Sequence, residues 1–187
     1  MLDQLLATPG VEERCALGSS FGFLALHGGL EAHTAEIAQA AAFASHASYY
    51  AVVQPDDLRW HVPSHAFDPA QSDALVEFLA HVDCVVSVHG FGGLRGSDDR
   101  WITGLLGGSN RSLAARLAGL LRDALPGYHW LDDLDLIPSH LRGVHPDNPV
   151  NRPADGGVQL ELPPRVRRTP GDAAALVGAL AAVARVA

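Results

Sequence analysis

Short apolar runs recur along the chain, and the apolar positions between them widen to helical spacing. The runs VEERCAL, FGFLALH, YYAVVQ, CVVSVHG, RWITGLLGG and GVQLEL read as strands. The stretches at 34–44, 70–81 and 110–125 and an alanine-rich tail at 173–187 read as helices. Strands alternating with helices predict an α/β fold, and the chain, residues 1–187, is of a length for one domain. Asp68-Pro69 is expected to start the second helix, as a cap followed by a proline in the first turn. Asn110 is expected to cap RSLAARLAGLLRDAL, which stops at Pro126-Gly127. From Tyr128 to Pro153 the periodicity fails and His, Pro, Asp and Asn accumulate, which predicts a functional loop or lid.

Composition narrows the class. With 48% hydrophobic and 18% charged residues the chain is a folded domain with a substantial core. A formal charge of −8 argues against nucleic-acid binding, which needs a basic surface. All 13 basic residues are arginine, so lysine Schiff-base and lysine general-base chemistry are excluded. Cys15 and Cys84 are too few for a zinc ribbon or a disulfide framework, and Cys84 opens an apolar strand as a small core residue. MLDQLLATPGVEER lacks a basic region and a long apolar stretch, and no apolar run reaches the ~18 residues of a membrane span. The expectation is a cytoplasmic protein without a membrane partner; the sequence does not address its oligomeric state.

The candidate chemistry lies at strand ends. FGFLALH stops at His27, Gly28-Gly29 leaves open space beside it, and Glu31 follows closely; CVVSVHG ends in the same way at His89. Taken singly, either histidine reads as a buried, hydrogen-bonded side chain. Together with Glu31 they make two imidazoles and one carboxylate, a donor set of catalytic zinc sites that keeps one position open for water. In GVQLEL, Glu161 is either a general base or the outward member of an alternating strand, since Val158, Leu160 and Leu162 share one face and Gln159 and Glu161 the other. His61, Ser64 and His65 sit in a loop after a strand. Arg142, Asn151 and Arg152 lie in the irregular segment, where a guanidinium can grip a substrate carboxylate through paired hydrogen bonds. Arg165, Arg167 and Arg168 read as a solvated turn or as steering charge. No G-x-S-x-G elbow surrounds any serine, which disfavours a serine hydrolase.

HGGLE, HVPS, VSVHG, LLGGSN and NRPADGGVQLEL occur in an order that resembles the poly-γ-glutamate hydrolase family, which includes phage depolymerases of capsular poly-γ-glutamate. The resemblance spans about residues 20–168 and is specific in HGGLE, VHG and GGVQLEL. It implies a zinc-carboxypeptidase-like (phosphorylase/hydrolase-like) fold, a three-layer α/β/α domain with a mixed sheet, and zinc-dependent hydrolysis of γ-glutamyl amide bonds in a small or polymeric substrate. It places one Zn²⁺ per chain on His27, Glu31 and His89, and Glu161 as the base that takes a proton from a water activated by the ion. Asn151-Arg152 resembles the Asn-Arg pair of zinc carboxypeptidases; apart from the resemblance, Arg142 is the alternative carboxylate contact and His61 a further candidate for substrate binding. HVPS carries proline where the family suggests a threonine-like residue, and RGSDDRW at 95–101 is more charged than the resemblance leads one to expect. The rival expectations are an N-acyl amino acid deacylase on the same scaffold and a non-catalytic metal- or ligand-binding module.

Overall fold

Each apolar run becomes a strand, and the strands join in one mixed sheet. The computed structural model describes residues 1–94 and 98–185. Among them the strands are β1 (Glu12–Ala16), β2 (Ser19–Gly28), β3 (Ala47–Val53), β4 (Cys84–Gly90), β5 (Thr103–Leu106), β6 (His129–Leu131) and β7 (Gly157–Leu162). Their order across the sheet is β1-β3-β2-β4-β7-β5-β6. The central strands β3, β2, β4 and β7 run parallel, while β1 pairs antiparallel with β3, and β5 with β7.

Side-chain alternation feeds two cores, one on each face. Phe21, Phe23 and Ala25 of β2, Val86 and Val88 of β4, and Val158, Leu160 and Leu162 of β7 pack under α2 (Thr34–Ser45), α4 (Arg111–Ala124) and α6 (Pro170–Ala184). Leu24 and Leu26 of β2, Tyr50 and Val52 of β3, and Val85 of β4 meet α1 (Leu2–Leu6) and α3 (Asp73–His81) on the opposite face. The result is the expected three-layer α/β/α arrangement. Helix α4 shows how the sequence builds it: Leu113, Leu117 and Leu121, four residues apart, form its buried stripe. Asn110 caps it by accepting a hydrogen bond from the Leu113 N–H at 2.9 Å. Helices α2 and α6 offer mainly alanine, whose small side chains let helices lie close on the sheet and on each other.

Several boundaries differ from the sequence reading. Asp68 caps only a 3-10 turn, Pro69–Gln71; the backbone is extended at Ser72, whose hydroxyl oxygen accepts from the Leu75 N–H and caps α3 afresh. The irregular segment contains the three-residue β6 and two 3-10 turns, Ser139–Leu141 and Pro149–Asn151. The basic stretch after β7 is a short helix, α5 (Pro164–Arg168), and α6 begins at Pro170. Of the charged 95–101 stretch, residues 95–97 lie outside the described residues, as do 186–187 at the end of the tail. Among the described residues, no helix is long and apolar enough to cross a membrane.

Candidate metal centre

Parallel pairing of β2 with β4, and of β4 with β7, brings the carboxyl ends of three strands to one edge of the sheet. His89 stands opposite Glu161 in the β4–β7 register, and Ser87 opposite Gln159. All four occupy the face away from Val86, Val88, Leu160 and Leu162, so the period of two that fills one core with aliphatic side chains lines the other face with polar ones. Strict alternation from Leu26 would carry His27 to the aliphatic face. The pairing of β2 with β3 is irregular between Ala25 and Gly28, and His27 instead reaches Val62 and Phe67 on the polar side. Glu31 arrives one turn later, its N–H bonded to the His27 carbonyl at 2.8 Å.

His27, Glu31 and His89 converge with ligand atoms all within 4.8 Å of one another. His27 Nε2 lies 2.8 Å from the Val62 carbonyl oxygen, which can only accept, so this nitrogen carries the proton and neutral His27 turns the Nδ1 lone pair inward. There Nδ1 meets Glu31 Oε1 at 3.0 Å and His89 Nδ1 at 3.2 Å. His89 anchors its outer Nε2 on the Ser87 hydroxyl at 2.8 Å. Glu31 Oε2 accepts from the Gly90 N–H at 2.8 Å and lies 3.5 Å from His89 Nδ1. Electron pairs on two nitrogens and a carboxylate thus crowd a small space, with a proton or a cation needed to hold them together. Imidazole nitrogens sharing a tetrahedral ion at 2.0–2.1 Å stand about 3.3 Å apart, so the nitrogen spacing fits a metal of zinc type. Burial would raise the Glu31 carboxyl, but its bonds to His27 and His89 outweigh that and hold it well below the usual carboxylate range. Burial would likewise lower His89, yet its bond to Glu31 and the nearby charge raise it. Without metal, a proton takes the place of the ion.

Glu161 is buried, and its burial pushes the carboxyl above the ordinary range, with the Glu31 charge adding to the rise and His89 and Gln159 opposing it. Gln159 donates from Nε2 to Glu161 Oε1 at 2.9 Å, while its own Oε1 accepts from Asn148 Nδ2 at 2.8 Å. Asn148, buried at the start of the Pro149–Asn151 turn, thereby ties the irregular segment to the strand that carries the carboxylate.

The glycines after the two histidines make room for protein rather than for ligand. A Cβ on Gly29, at φ +75°, would lie 1.9 Å from the Gln54 carbonyl oxygen, and one on Gly90 2.6 Å from the Arg167 guanidinium carbon. Arg167, expected in a solvated or steering cluster, is buried. Its guanidinium donates to the carbonyls of Leu162 (3.2 Å), Ala32 (2.6 Å) and Phe91 (3.3 Å), pinning together the segments that follow β7, β2 and β4. Arg165 lies over the Tyr128 ring, and Arg168 is exposed.

A cavity of about 730 Å³ opens over His27, Glu31, His89 and Glu161, walled by His61, Ser64 and His65 and by Ser139, His140, Leu141, Gly143, Val144, His145 and Asn148 of the irregular segment. His61 lines it with its ring 4.7 Å from that of His27, and its burial lowers its pKa. The structure does not bring Arg142, Asn151 or Arg152 to the cavity wall. Arg142 donates from Nε to the Ile137 carbonyl, Arg152 pairs with exposed Asp147 at 3.2 Å, and Asn151 braces its own loop through the carbonyls of Gly143 and His145. Sequence reasoning passed over Ser87, Gln159 and Asn148. Ser87 and Gln159 each sit two residues before a candidate functional side chain, a spacing that puts them on its face of the strand.

The chain matches the poly-gamma-glutamate hydrolase family over residues 4–174, and it belongs to that family. Its fold is similar to that of a bacteriophage poly-gamma-glutamate hydrolase, with a TM-score of 0.78 at 22% identity over 97% of this chain and 92% of the other. It is similar to YNDL in a zinc-free apo form, with a TM-score of 0.68 at 25% identity over 86% of this chain and 75% of that one. A metallo-carboxypeptidase from Burkholderia cenocepacia aligns with a TM-score of 0.50 at 10% identity over 99% and 67% of the two chains, so the fold is carboxypeptidase-like. The chain spans about half the length of the curated relative it matches, the SPbeta prophage-derived protein YoqZ of Bacillus subtilis (strain 168), which is 29% identical over 148 residues, 78% of this chain and 49% of that protein.

Proposed function

We propose that this protein is a zinc-dependent hydrolase of γ-glutamyl amide bonds, in poly-γ-glutamate or shorter γ-glutamyl compounds. His27, Glu31 and His89 would hold one ion, and Glu161 would carry the proton. The observation that carries the reading is the convergence of two imidazole nitrogens and a carboxylate beside a second, buried carboxylate in an open cavity. Family membership and the carboxypeptidase-like fold support it. When bound, the ion supplies Lewis acidity, which acidifies a water and draws electron density from a carbonyl oxygen.

The protein's own groups then divide the work. Glu161, raised by burial, is a better base at neutral pH than an exposed carboxylate. Gln159 occupies its Oε1 and fixes the carboxylate plane, leaving Oε2 to take a proton from the attacking water as the new carbon–oxygen bond forms. The same oxygen returns the proton to the amide nitrogen as the carbon–nitrogen bond breaks, and the remaining proton of the new carboxylic acid passes to the amine, so the products are a carboxylate and an ammonium group. His61 and the wall formed by His140, Leu141, Val144 and His145 flank the substrate and limit its contact with bulk water.

The test is elemental analysis of protein never exposed to chelator, together with size-exclusion analysis of poly-γ-glutamate incubated with wild type, with chelated protein and with Glu161→Gln. One zinc per chain, shortening of the polymer that a chelator stops, and a Glu161→Gln variant that keeps its metal and melting temperature but loses activity on the order of 10²-fold or more are the expected results. Absence of a transition metal, or near-wild-type kcat in Glu161→Gln, overturns the proposal.

A further inference from the structure

A second cavity, of about 580 Å³, adjoins the metal centre and is lined by Phe91, Gly92, Gly93, Arg100, His140 and Leu141 among others. Phe91, His140 and Leu141 also line the first cavity, so the two are neighbours across one shared wall. Among the described residues the first cavity has histidines on its walls but no arginine, and the chain has no lysine. Arg142, Arg152 and Arg167 are engaged by a loop carbonyl, by Asp147 and by three backbone carbonyls. Among the described residues, Arg100 is therefore the one permanently charged cation that lines either cavity.

Its placement is built into the backbone. Arg100 belongs to the 3-10 turn Asp98–Trp101, against which the segment after β4 passes at Gly93. Gly93 has φ +87°, and a Cβ there would lie 2.1 Å from the Arg100 carbonyl oxygen, so only glycine permits the approach. The Arg100 guanidinium carbon sits 4.7 Å from the centre of the Trp101 ring. Stacking uses the face of the guanidinium and leaves its N–H edge for a planar anion.

We propose that the second cavity extends the substrate cleft, with Arg100 holding a carboxylate of a γ-linked glutamyl chain at a residue beyond the scissile amide. A γ-linked chain carries one such carboxylate per residue, so a cation set apart from the reacting bond reads chain length as well as charge. This rests on the proposed hydrolase function and adds a subsite that the metal centre alone does not supply.

The experiment is calorimetric titration of γ-glutamyl oligomers of increasing length into zinc-loaded Glu161→Gln protein, which binds without turnover, repeated with Arg100→Ala and with Arg100→Lys added. Affinity is expected to rise with length until the second cavity is filled. Arg100→Ala is expected to weaken the longer oligomers about fivefold, the scale of an accessible guanidinium–carboxylate contact, and to weaken the shortest less. Arg100→Lys should recover part of the loss, and oligomers with amidated carboxylates should bind the Arg100 protein as weakly as acid oligomers bind Arg100→Ala. If Arg100→Ala fails to melt cooperatively, Arg100→Gln carries the comparison. Equal affinities with and without Arg100 at every length overturn the subsite while leaving hydrolysis of the polymer by wild type intact. Failure of every oligomer to bind metal-loaded protein overturns the proposed function and the subsite together.

Discussion

Replacing Gln159 by methionine keeps the length and shape of the side chain and removes its hydrogen bonds, which isolates the part it plays between the carboxylate and the irregular segment. Two good contacts are lost: the 2.9 Å bond from Nε2 to Glu161 and the 2.8 Å bond accepted from Asn148. A bond to a charged group contributes about 1.5–3 kcal/mol and a neutral one about 1 kcal/mol. Both contacts are buried, so solvent does not replace them, and the expected loss is about 2–4 kcal/mol. In a domain of this size each kcal/mol moves the melting temperature by roughly 2–4 °C, so the variant should melt about 4–16 °C below wild type. Metal content should hold, because none of the hydrogen bonds of His27, Glu31 or His89 runs to Gln159. The catalytic signature is separate from the stability loss. Gln159 is one of the contacts that draws the Glu161 carboxyl down against burial, so its removal should move the acid limb of the kcat/KM profile to higher pH. Thermal melts, zinc analysis and a pH–rate profile on a γ-glutamyl substrate read the three effects. A melting temperature within about 1 °C of wild type together with an unmoved acid limb would refute the argument that Gln159 sets the carboxylate.

Metal-free protein should be most stable in weakly acid solution, between the ordinary carboxyl value of 4.5 and the ordinary imidazole value of 6.5, with buried Glu161 drawing the maximum toward the acid end. Below 4.5 the depressed Glu31 carboxyl loses its contribution as it takes up a proton, whereas raised His89 and raised Glu161 lose theirs as pH climbs through their folded-state values. Melts of chelated protein across pH 4 to 9 should show this maximum, and zinc should flatten the alkaline fall; a chelated protein steadily more stable up to about pH 8 would contradict it. Gly29→Ala, which forces a Cβ against the Gln54 carbonyl at positive φ, should cost more than about 2 kcal/mol in denaturant unfolding, and a loss under about 0.5 kcal/mol would show that the turn gives way. Arg152→Ala should change KM less than about twofold, since its exposed partner is Asp147 rather than the cavity; a tenfold rise in KM without loss of stability would restore it as a substrate contact.

The strand ends were legible because a histidine that closes an apolar run and precedes glycine departs from the pattern of core strands, and it does so twice, at His27 and His89. GVQLEL was legible as a strand, but its polar face was not legible as buried: alternation shows which residues share a side, not whether water lies on that side, and here the Ser139–Asn148 segment covers it. The partners of the arginines were hidden for a related reason. A guanidinium in a loop carries no sequence mark of its partner, and Arg152 finds Asp147 five residues away while Arg167 reaches back to Ala32. Gly28-Gly29 suggested open space for a ligand, yet the space at Gly29 is taken by the Gln54 backbone, whose side chain in turn holds Trp60 next to His61. The three-residue β6 is too short to show any period, and Asp68-Pro69 carried a true helix-start signal that was used for a 3-10 turn.

The alternation that hid the surroundings of Glu161 also contains the rule that finds its supports. Once His89 and Glu161 are placed at the carboxyl ends of neighbouring parallel strands, the residues two positions earlier must lie beside them on the same face. A hydroxyl or an amide at such a position is buried under the cleft and has to spend its hydrogen bonds there. Ser87 and Gln159 do so on His89 and Glu161 themselves, so the orientation of the candidate ligand and of the candidate base follows from strand period as directly as the aliphatic core does on the other face.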